Sequence, residues 1–424
     1  MTQNTPSHRP IHVLLLTQWF DPEPTFKGMV FARELVRQGF EVEVVTGFPN
    51  YPGGKVYPGY RIKALQRELM DGVHVTRVPL YPNHDQSAIK RVLNYASFAA
   101  SALMYGLLGA KRPDVIYAYH PPLTVGIAAS LIRLLRRIPV VYDIQDMWPD
   151  TLRATGMLNN PKALNLIASV CQWVYRRVDH IAVLSPGFER LLVERGVPAN
   201  KINVIYNWAD EASLAALTGQ LPASFPGPDR FRILFAGNMG KAQALGTVLD
   251  AAALLQARNS RVCFVMLGGG VELGQLKGQA VQRQLHNVVF LPAVPMAEVG
   301  AYLHAADALL VHLRKDPLFE ITIPSKTQAY MAVGKPLLMA VDGDAADLVR
   351  DSGGGVVAES ENAEALAQSA EALANTSAPA LAAMGQQAQR FYRERLALAV
   401  GVARFGALFR QVAKQRSHGA QRNG

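Results

Sequence analysis

Short apolar runs recur along the whole chain, each followed by a longer stretch with helical spacing of its apolar residues. Such alternation predicts β-strand and α-helix units whose strands lie parallel and are buried on both faces by the crossover helices. In the first half the runs fall at residues 11–17, 41–46, 73–78, 114–119, 139–143, 180–184 and 202–205. They restart at 232–236, 262–267, 288–291, 308–312, 336–341 and 355–357, and three Ala-rich segments after Ser360 read as helices. A chain of 424 residues exceeds one typical core, so two domains of roughly 200 residues are expected. Residues 217–230, rich in Gly, Pro and Ala without periodicity, read as the linker. The expected fold class is therefore α/β with two doubly wound domains, 1–216 and 231–395, and a C-terminal helix with a mobile polar tail at 396–424.

The formal net charge of +10 favours anionic partners: nucleic acid, anionic lipid or phosphorylated small molecules. No run of Lys and Arg interleaved with aromatics tracks a nucleic-acid strand, so nucleic acid is not expected. Cys171 and Cys263 sit inside apolar patterns, suggest neither a disulfide framework nor a metal site, and point to a reducing compartment. Residues 1–10 are polar and lack the apolar core of a signal peptide. The most apolar stretch, 95–110, is about 16 residues long between Lys90-Arg91 and Lys111-Arg112, short of a span. With the basic and apolar segment 131–137, it predicts a helix buried or lying at an anionic lipid surface.

Open parallel sheets bind ligands beyond the carboxyl ends of their strands, so the residues there are the candidates. Residues 319–336 read as a loop turning into a helix whose first turn carries Pro324, Ser325 and Lys326, closed by Gly334. Unpaired N–H groups, the positive end of the helix dipole and the Lys326 charge together suit a diphosphate. Gly237-Asn238-Met239-Gly240-Lys241 follows the strand at 232–236; its glycines allow backbone to approach a phosphate that Lys241 neutralises. It is not a Walker loop, because no Lys-Ser or Lys-Thr pair follows at the required spacing. His120, closing the strand at 114–119, is a hydrogen-bonding or general-base candidate near neutral pH, or a simple strand cap. Asp143 to Asp150 packs three carboxylates and Trp148 into eight residues, suited to sugar hydroxyls and faces or to helix capping. Asp342-Gly343-Asp344 reads as a tight turn, not a metal clip, and the run 268–270 as a flexible strand-end loop. No metal and no cofactor are expected.

These residues together resemble glycosyltransferase family 4, whose GT-B fold sets two Rossmann-like domains facing across a cleft. The resemblance runs from Leu-Leu-Leu-Thr-Gln-Trp-Phe-Asp-Pro at 14–22, through Thr-Gly-Phe-Pro-Asn-Tyr-Pro at 46–52 and the acidic segment 143–150, to 237–241 and 324–336. Within the family the chain looks most like the branch that makes bacterial surface polysaccharides, such as the colanic acid fucosyltransferase and the N-acetylfucosaminyltransferase of O-antigen synthesis. The resemblance implies that Lys241 and Lys326 contact the donor pyrophosphate, with Gly237, Asn238 and Ser325 beside it. It also implies that His120 sits over the donor sugar and that Gly28, before the first helix, approaches the phosphates. The usual family pattern places two glutamates eight residues apart around the Pro-Ser helix start, the first on the sugar and the second on the ribose. In this register those places are Ile321 and Ala329. Glu320 and Gln328 keep the spacing one residue earlier, a turn of about 100° on a helix.

The implied chemistry is retaining transfer from a UDP- or GDP-linked sugar to a polyprenyl-diphosphate-linked saccharide, in exopolysaccharide or O-antigen synthesis. The expected location is cytoplasmic, peripheral on the inner face of the cytoplasmic membrane. Two other readings remain open. A nucleotide-sugar 2-epimerase of the same fold would need no acceptor. A catalytically silent glycan- or partner-binding subunit is motivated by the displaced glutamates, though the two lysines favour chemistry.

Overall fold

The apolar runs of the first half become strands β1 (His12–Leu16), β2 (Glu41–Gly47), β4 (Val73–Val78), β5 (Val115–His120), β6 (Val140–Ile144), β7 (His180–Val183) and β8 (Ile202–Val204), with β3 (Gln66–Met70) added between β2 and β4. The structure is a computed structural model and describes residues 9–83, 88–215 and 220–422. Residues 1–8 with their polar sequence, 217–219 of the expected linker and 423–424 of the expected tail lie outside the described residues. The eight strands form one sheet in the order β3-β4-β2-β1-β5-β6-β7-β8, parallel except for β3, which runs antiparallel to β4. β3 has no apolar run to announce it. It is an edge strand of sequence Gln-Arg-Glu-Leu-Met, and even its Leu69 faces outward.

In the second half β9 (Phe231–Asn238), β10 (Val262–Gly269), β11 (Val288–Leu291), β12 (Ala308–His312), β13 (Leu337–Ala340) and β14 (Gly355–Val357) form a wholly parallel sheet in the order β11-β10-β9-β12-β13-β14. Successive residues of a strand point to opposite faces, so a sheet covered on both sides needs apolar residues at every position. In β9, Ile233 and Phe235 pack with Val248, Leu249, Leu366 and Leu373, while Leu234 joins Leu303, Met331 and Val349 on the other face. Burying each such side chain contributes about 1.5–3 kcal/mol.

Packing divides the chain into one unit of Met1–Leu184, Phe188–Ile205 and Gly401–Gly424, and a second of Ser185–Gly187 and Tyr206–Val400. Residues before the expected linker join the second unit because Tyr392 ties them there: its hydroxyl accepts from the Ala209 N–H at 3.1 Å and donates to Glu211 at 2.7 Å. The last helix, Leu398–Arg422, runs through most of the segment expected to be a mobile tail. In the first unit, its Phe405 packs on Phe31 and Tyr117, and its Phe409 on Tyr117 and Phe40.

Beneath that aromatic cluster lies a buried ion pair. Lys27 Nζ is 2.5 Å from Asp143 Oδ2 at the end of β6, and both side chains are closed off from solvent. The Tyr117 hydroxyl donates to the same oxygen, Gln145 Nε2 donates to the other at 2.6 Å, and Phe405 lies 4.9 Å from the ammonium. Burial pulls the Lys27 pKa down, and the Asp143 carboxylate opposes it. Removing one partner of such a pair leaves an uncompensated buried charge. Lys27→Met is expected to destabilise the protein by about 3–5 kcal/mol, and Lys27→Met with Asp143→Asn by clearly less, as measured by calorimetric unfolding.

Candidate functional site

In each sheet, consecutive strands leave in opposite directions from one point. In the second sheet it lies between β9 and β12, in the first between β1 and β5. Such a point opens a crevice at the carboxyl ends of the strands, where ligands of doubly wound folds bind. In the second unit the segments beside it are 237–243, after β9, and the two helices after β12, Pro317–Glu320 and Ser325–Val333.

Gly237 has φ +130°, and a Cβ there would lie 2.9 Å from Lys326 Cε, so a glycine lets the Lys326 side chain cross the backbone. The run 268–270 is not the loose loop expected from its glycines. The Gly269 carbonyl accepts from Met239 N–H at 2.6 Å, and Glu272 N–H donates to the Met239 carbonyl at 3.0 Å. It is a buttress under the first loop. A one-turn helix, Lys241–Gln243, follows, capped by the Gln243 side chain, whose Oε1 accepts from Gly240 N–H at 3.0 Å and from Asn238 Nδ2 at 3.5 Å. Lys241 itself is exposed and makes no ion pair or side-chain hydrogen bond among the described residues.

The helix Ser325–Val333 begins with Pro324 as its N-cap, in extended conformation, and ends at Gly334 with φ +78°, the left-handed closure expected of that glycine. Proline has no side chain to cap the first-turn N–H groups, and Ser325 is exposed at the helix start. Lys326 lies largely buried, its Nζ 3.5 Å from the centroid of the Phe235 ring. No carboxylate pairs with it among the described residues, and burial alone pulls its amine down to about 7. One turn on, the Tyr330 hydroxyl accepts from Ala236 N–H at 2.9 Å, pinning the helix to the end of β9. Only its place one turn after Lys326 could have suggested this role.

Glu320 ends the one-turn helix Pro317–Glu320, which Asp316 caps through Leu318 N–H at 2.9 Å. Its carboxylate is partly exposed, with no hydrogen bond or ion pair among the described residues. The Glu320 peptide packs against Gly343, where φ is +75° and any Cβ would collide with it. This is why the Asp342-Gly343-Asp344 turn carries glycine. Asp344 accepts from the Gly187 N–H, and among the described residues no group of three His, Cys, Asp or Glu side chains is placed to hold a metal. Gln328, one residue before the family's ribose position, is buried and turned back on its own helix: with its amide set by the acceptors around it, nitrogen meets the Pro324 carbonyl at 2.8 Å and that of Ser325 at 3.3 Å. It braces the helix start and is not offered to a ligand.

In the first unit, His120 ends β5 and Gly28 follows β1, the two strands that flank that sheet's switch point. His120 is buried, edge-on to Trp148 at 5.4 Å and Tyr142 at 5.8 Å, and burial pushes its imidazole down to about 3. Burial favours the neutral ring, a hydrogen-bonding group whose Nδ1 has no partner among the described residues. Gly28 is the N-cap of the helix Met29–Arg37, yet the Asp21 carboxylate occupies that end, accepting from Met29 N–H at 2.6 Å. Its own chain thus supplies an anion where the sequence suggested phosphate. In the acidic segment Asp143 belongs to the buried pair and Asp150 is bonded to Arg195 at 2.5 Å. Asp146 has no side-chain partner among the described residues, and burial raises its pKa.

Residues 29–208 match the model of the glycosyl transferase 4-like domain, and residues 222–391 that of glycosyl transferases group 1. The chain is 30% identical over 314 residues to WcaI of Escherichia coli (strain K12), named as a glycosyl transferase of colanic acid biosynthesis, spanning 71% of this chain and 75% of that one. The chain belongs to glycosyltransferase family 4. WbjE of Pseudomonas aeruginosa, also named as a glycosyltransferase, is 26% identical over 238 residues, 55% of this chain and 58% of that one. This family 4 glycosyltransferase shares its GT-B fold with HepE of Anabaena, crystallised with UDP and glucose (TM-score 0.64, 16% identity, 96% and 99% of the two chains). Sucrose-phosphate synthase of Thermosynechococcus elongatus is similar in the same way (TM-score 0.70, 16% identity, 95% and 99%).

An amine displaced this far by burial alone has a direct signature. The Lys326 Cε resonance is expected to titrate with a midpoint of about 7 in the ligand-free protein, against about 10.4 for ordinary lysines. A midpoint near 10 would mean that the side chain is solvated.

Proposed function

We propose that this glycosyltransferase moves a sugar from a nucleoside diphosphate donor, with retention of configuration, to a polyprenyl-diphosphate-linked saccharide. The observation that carries the donor site is the buried Lys326 ammonium, which has an aromatic face beneath it and no carboxylate partner among the described residues. Burial of an unpaired amine is unfavourable, and a dianionic ligand offsets it. The uncapped start of its helix adds oriented N–H groups, and Lys241, exposed on the facing loop, adds a second charge. UDP in the HepE structures favours uridine as the base. Two unspent lysines also argue against a catalytically silent subunit.

In the reaction the bond from the anomeric carbon to the donor phosphate oxygen breaks while the acceptor oxygen bonds to that carbon on the same face. The departing diphosphate takes the acceptor's proton. Charge grows on the diphosphate as the bond lengthens, so Lys241, Lys326 and the helix start stabilise the transition state more than the ground state. Glu320, unpaired among the described residues and on the adjoining turn, suits the sugar hydroxyls; Gln328 has no such freedom. No metal is needed for this charge balance.

The acceptor's lipid would be met by the helix Ala88–Leu108 of the first unit. Ile89, Leu93, Met104 and Leu108 are exposed by 74%, 51%, 63% and 83%, with Ala96 and Ala100 filling the stripe at helical spacing. Arg91, Lys111 and Arg112 flank the stripe, the composition of a helix lying on an anionic bilayer. One described helical run, Ala378–Gln415, is long and apolar enough to cross a membrane, but 44% of its apolar window is buried in the protein. Peripheral attachment fits better than a span.

UDP at about 100 times its dissociation constant is expected to stabilise the protein by about 2.7 kcal/mol, and GDP less; no response to either would remove the donor assignment. Lys326→Ala should lower turnover by about a hundredfold or more. Because a bound diphosphate holds Lys326 protonated, affinity should be full below pH 7 and fall as the pH rises through about 7, read by calorimetric titration across pH. Met104→Glu with Leu108→Glu should cut sedimentation with vesicles of anionic lipid at least about tenfold and leave UDP binding unchanged.

A further inference from the structure

The carboxyl end of β12 adjoins two turns of the second unit, the one that carries Lys241 and the one that carries Glu320. His312, its last residue, is fully buried, with Nδ1 2.7 Å from the Gln243 carbonyl. A carbonyl only accepts, so Nδ1 carries the proton, and burial keeps the ring neutral. Two residues on, Arg314 N–H donates to the Ala242 carbonyl at 2.9 Å. These bonds take up the last two carbonyls of the one-turn helix that begins with Lys241. So short a helix has too few internal bonds to hold its shape. On the other side, the Arg314 side chain reaches Asp316 at 3.1 Å and lies over Phe319, and Asp316 caps the turn that carries Glu320.

We propose that His312 is a positioning residue for catalysis: through the Gln243 carbonyl it fixes the Lys241 turn, and the strand end it closes sets that turn and the Glu320 turn in one frame. The inference rests on the donor-site reading for its ligand. Gln243 is the link in sequence, since its side chain caps Gly240 while its backbone is held by His312. Losing the imidazole N–H strands a buried carbonyl, which regains a partner only by letting the turn move.

Two variants separate placement from mere packing. His312→Leu removes the donor, whereas His312→Asn keeps an amide N–H close to where Nδ1 stands. In His312→Leu, UDP affinity by calorimetry should fall about tenfold or more, and amide exchange over 238–244 should quicken; in His312→Asn both should return to within about threefold of the parent. Combined with Lys241→Ala, His312→Leu should change affinity less than about twofold, because its effect passes through that lysine. Full additivity with Lys241→Ala, or unchanged exchange in His312→Leu, would overturn the proposal. Parent protein that binds no UDP would sink the donor reading instead, and the exchange measurement would still decide the role of His312. If His312→Leu does not fold, Asn against Gln carries the test: Gln sets its amide one methylene further out, and equal behaviour of the two would refute a positional role.

Discussion

A lysine amine buried over Phe235, with no carboxylate partner among the described residues, is the constraint around which the second domain is arranged. Left alone such a group is unfavourable, and the fold could relieve it by letting the chain swing into water. Several features prevent that. Tyr330 pins the helix to β9, Gln328 braces its first turn, and Gly237 leaves room for the stem to cross. Each costs the protein something, in buried polar groups or in backbone restricted to glycine, and together they hold one amine in a poorly solvated place, where an anion favours its protonated form. Preorganised charge of this kind stabilises a developing anion without rearranging when it forms.

The first domain treats buried charge in the opposite way. Lys27 is matched by Asp143, which in turn accepts from Tyr117 and Gln145, so every strong group of the cluster is satisfied. That pair has no charge left to offer a ligand. It joins the segment before the first helix to the end of β6 and to the last helix through Phe405. These two buried lysines thus differ in whether a counter-ion is built in, and the unmatched one is the candidate for an anion.

Much of this was legible in the sequence. The thirteen apolar runs all became strands, because a sheet covered on both faces demands apolar residues at every position and so writes a continuous signal. β3 escaped because an edge strand with one wet face carries no such signal. Lys241 and Lys326 are candidates from their place after a glycine loop and at a helix start, features that are local and therefore visible in a few residues. His312, Tyr330 and Gln243 were not found. Their roles rest on bonds to residues 69, 94 and 3 positions away, and the one local bond, from Gly240 to Gln243, looks like any short turn.

The sequence by itself determined the alternation of strand and helix, the two-domain scale, the closure of the lysine-bearing helix at Gly334 and the family. All of these follow from periodicity, length and local backbone preference, which adjacent residues encode. Tertiary structure alone decided which charges are spent. It turned Gln328 inward, filled the helix start at Gly28 with Asp21, neutralised His120 by burial and left Lys326 without a carboxylate among the described residues. Protonation and pairing depend on what lies within a few ångströms in space, and those neighbours come from distant parts of the chain.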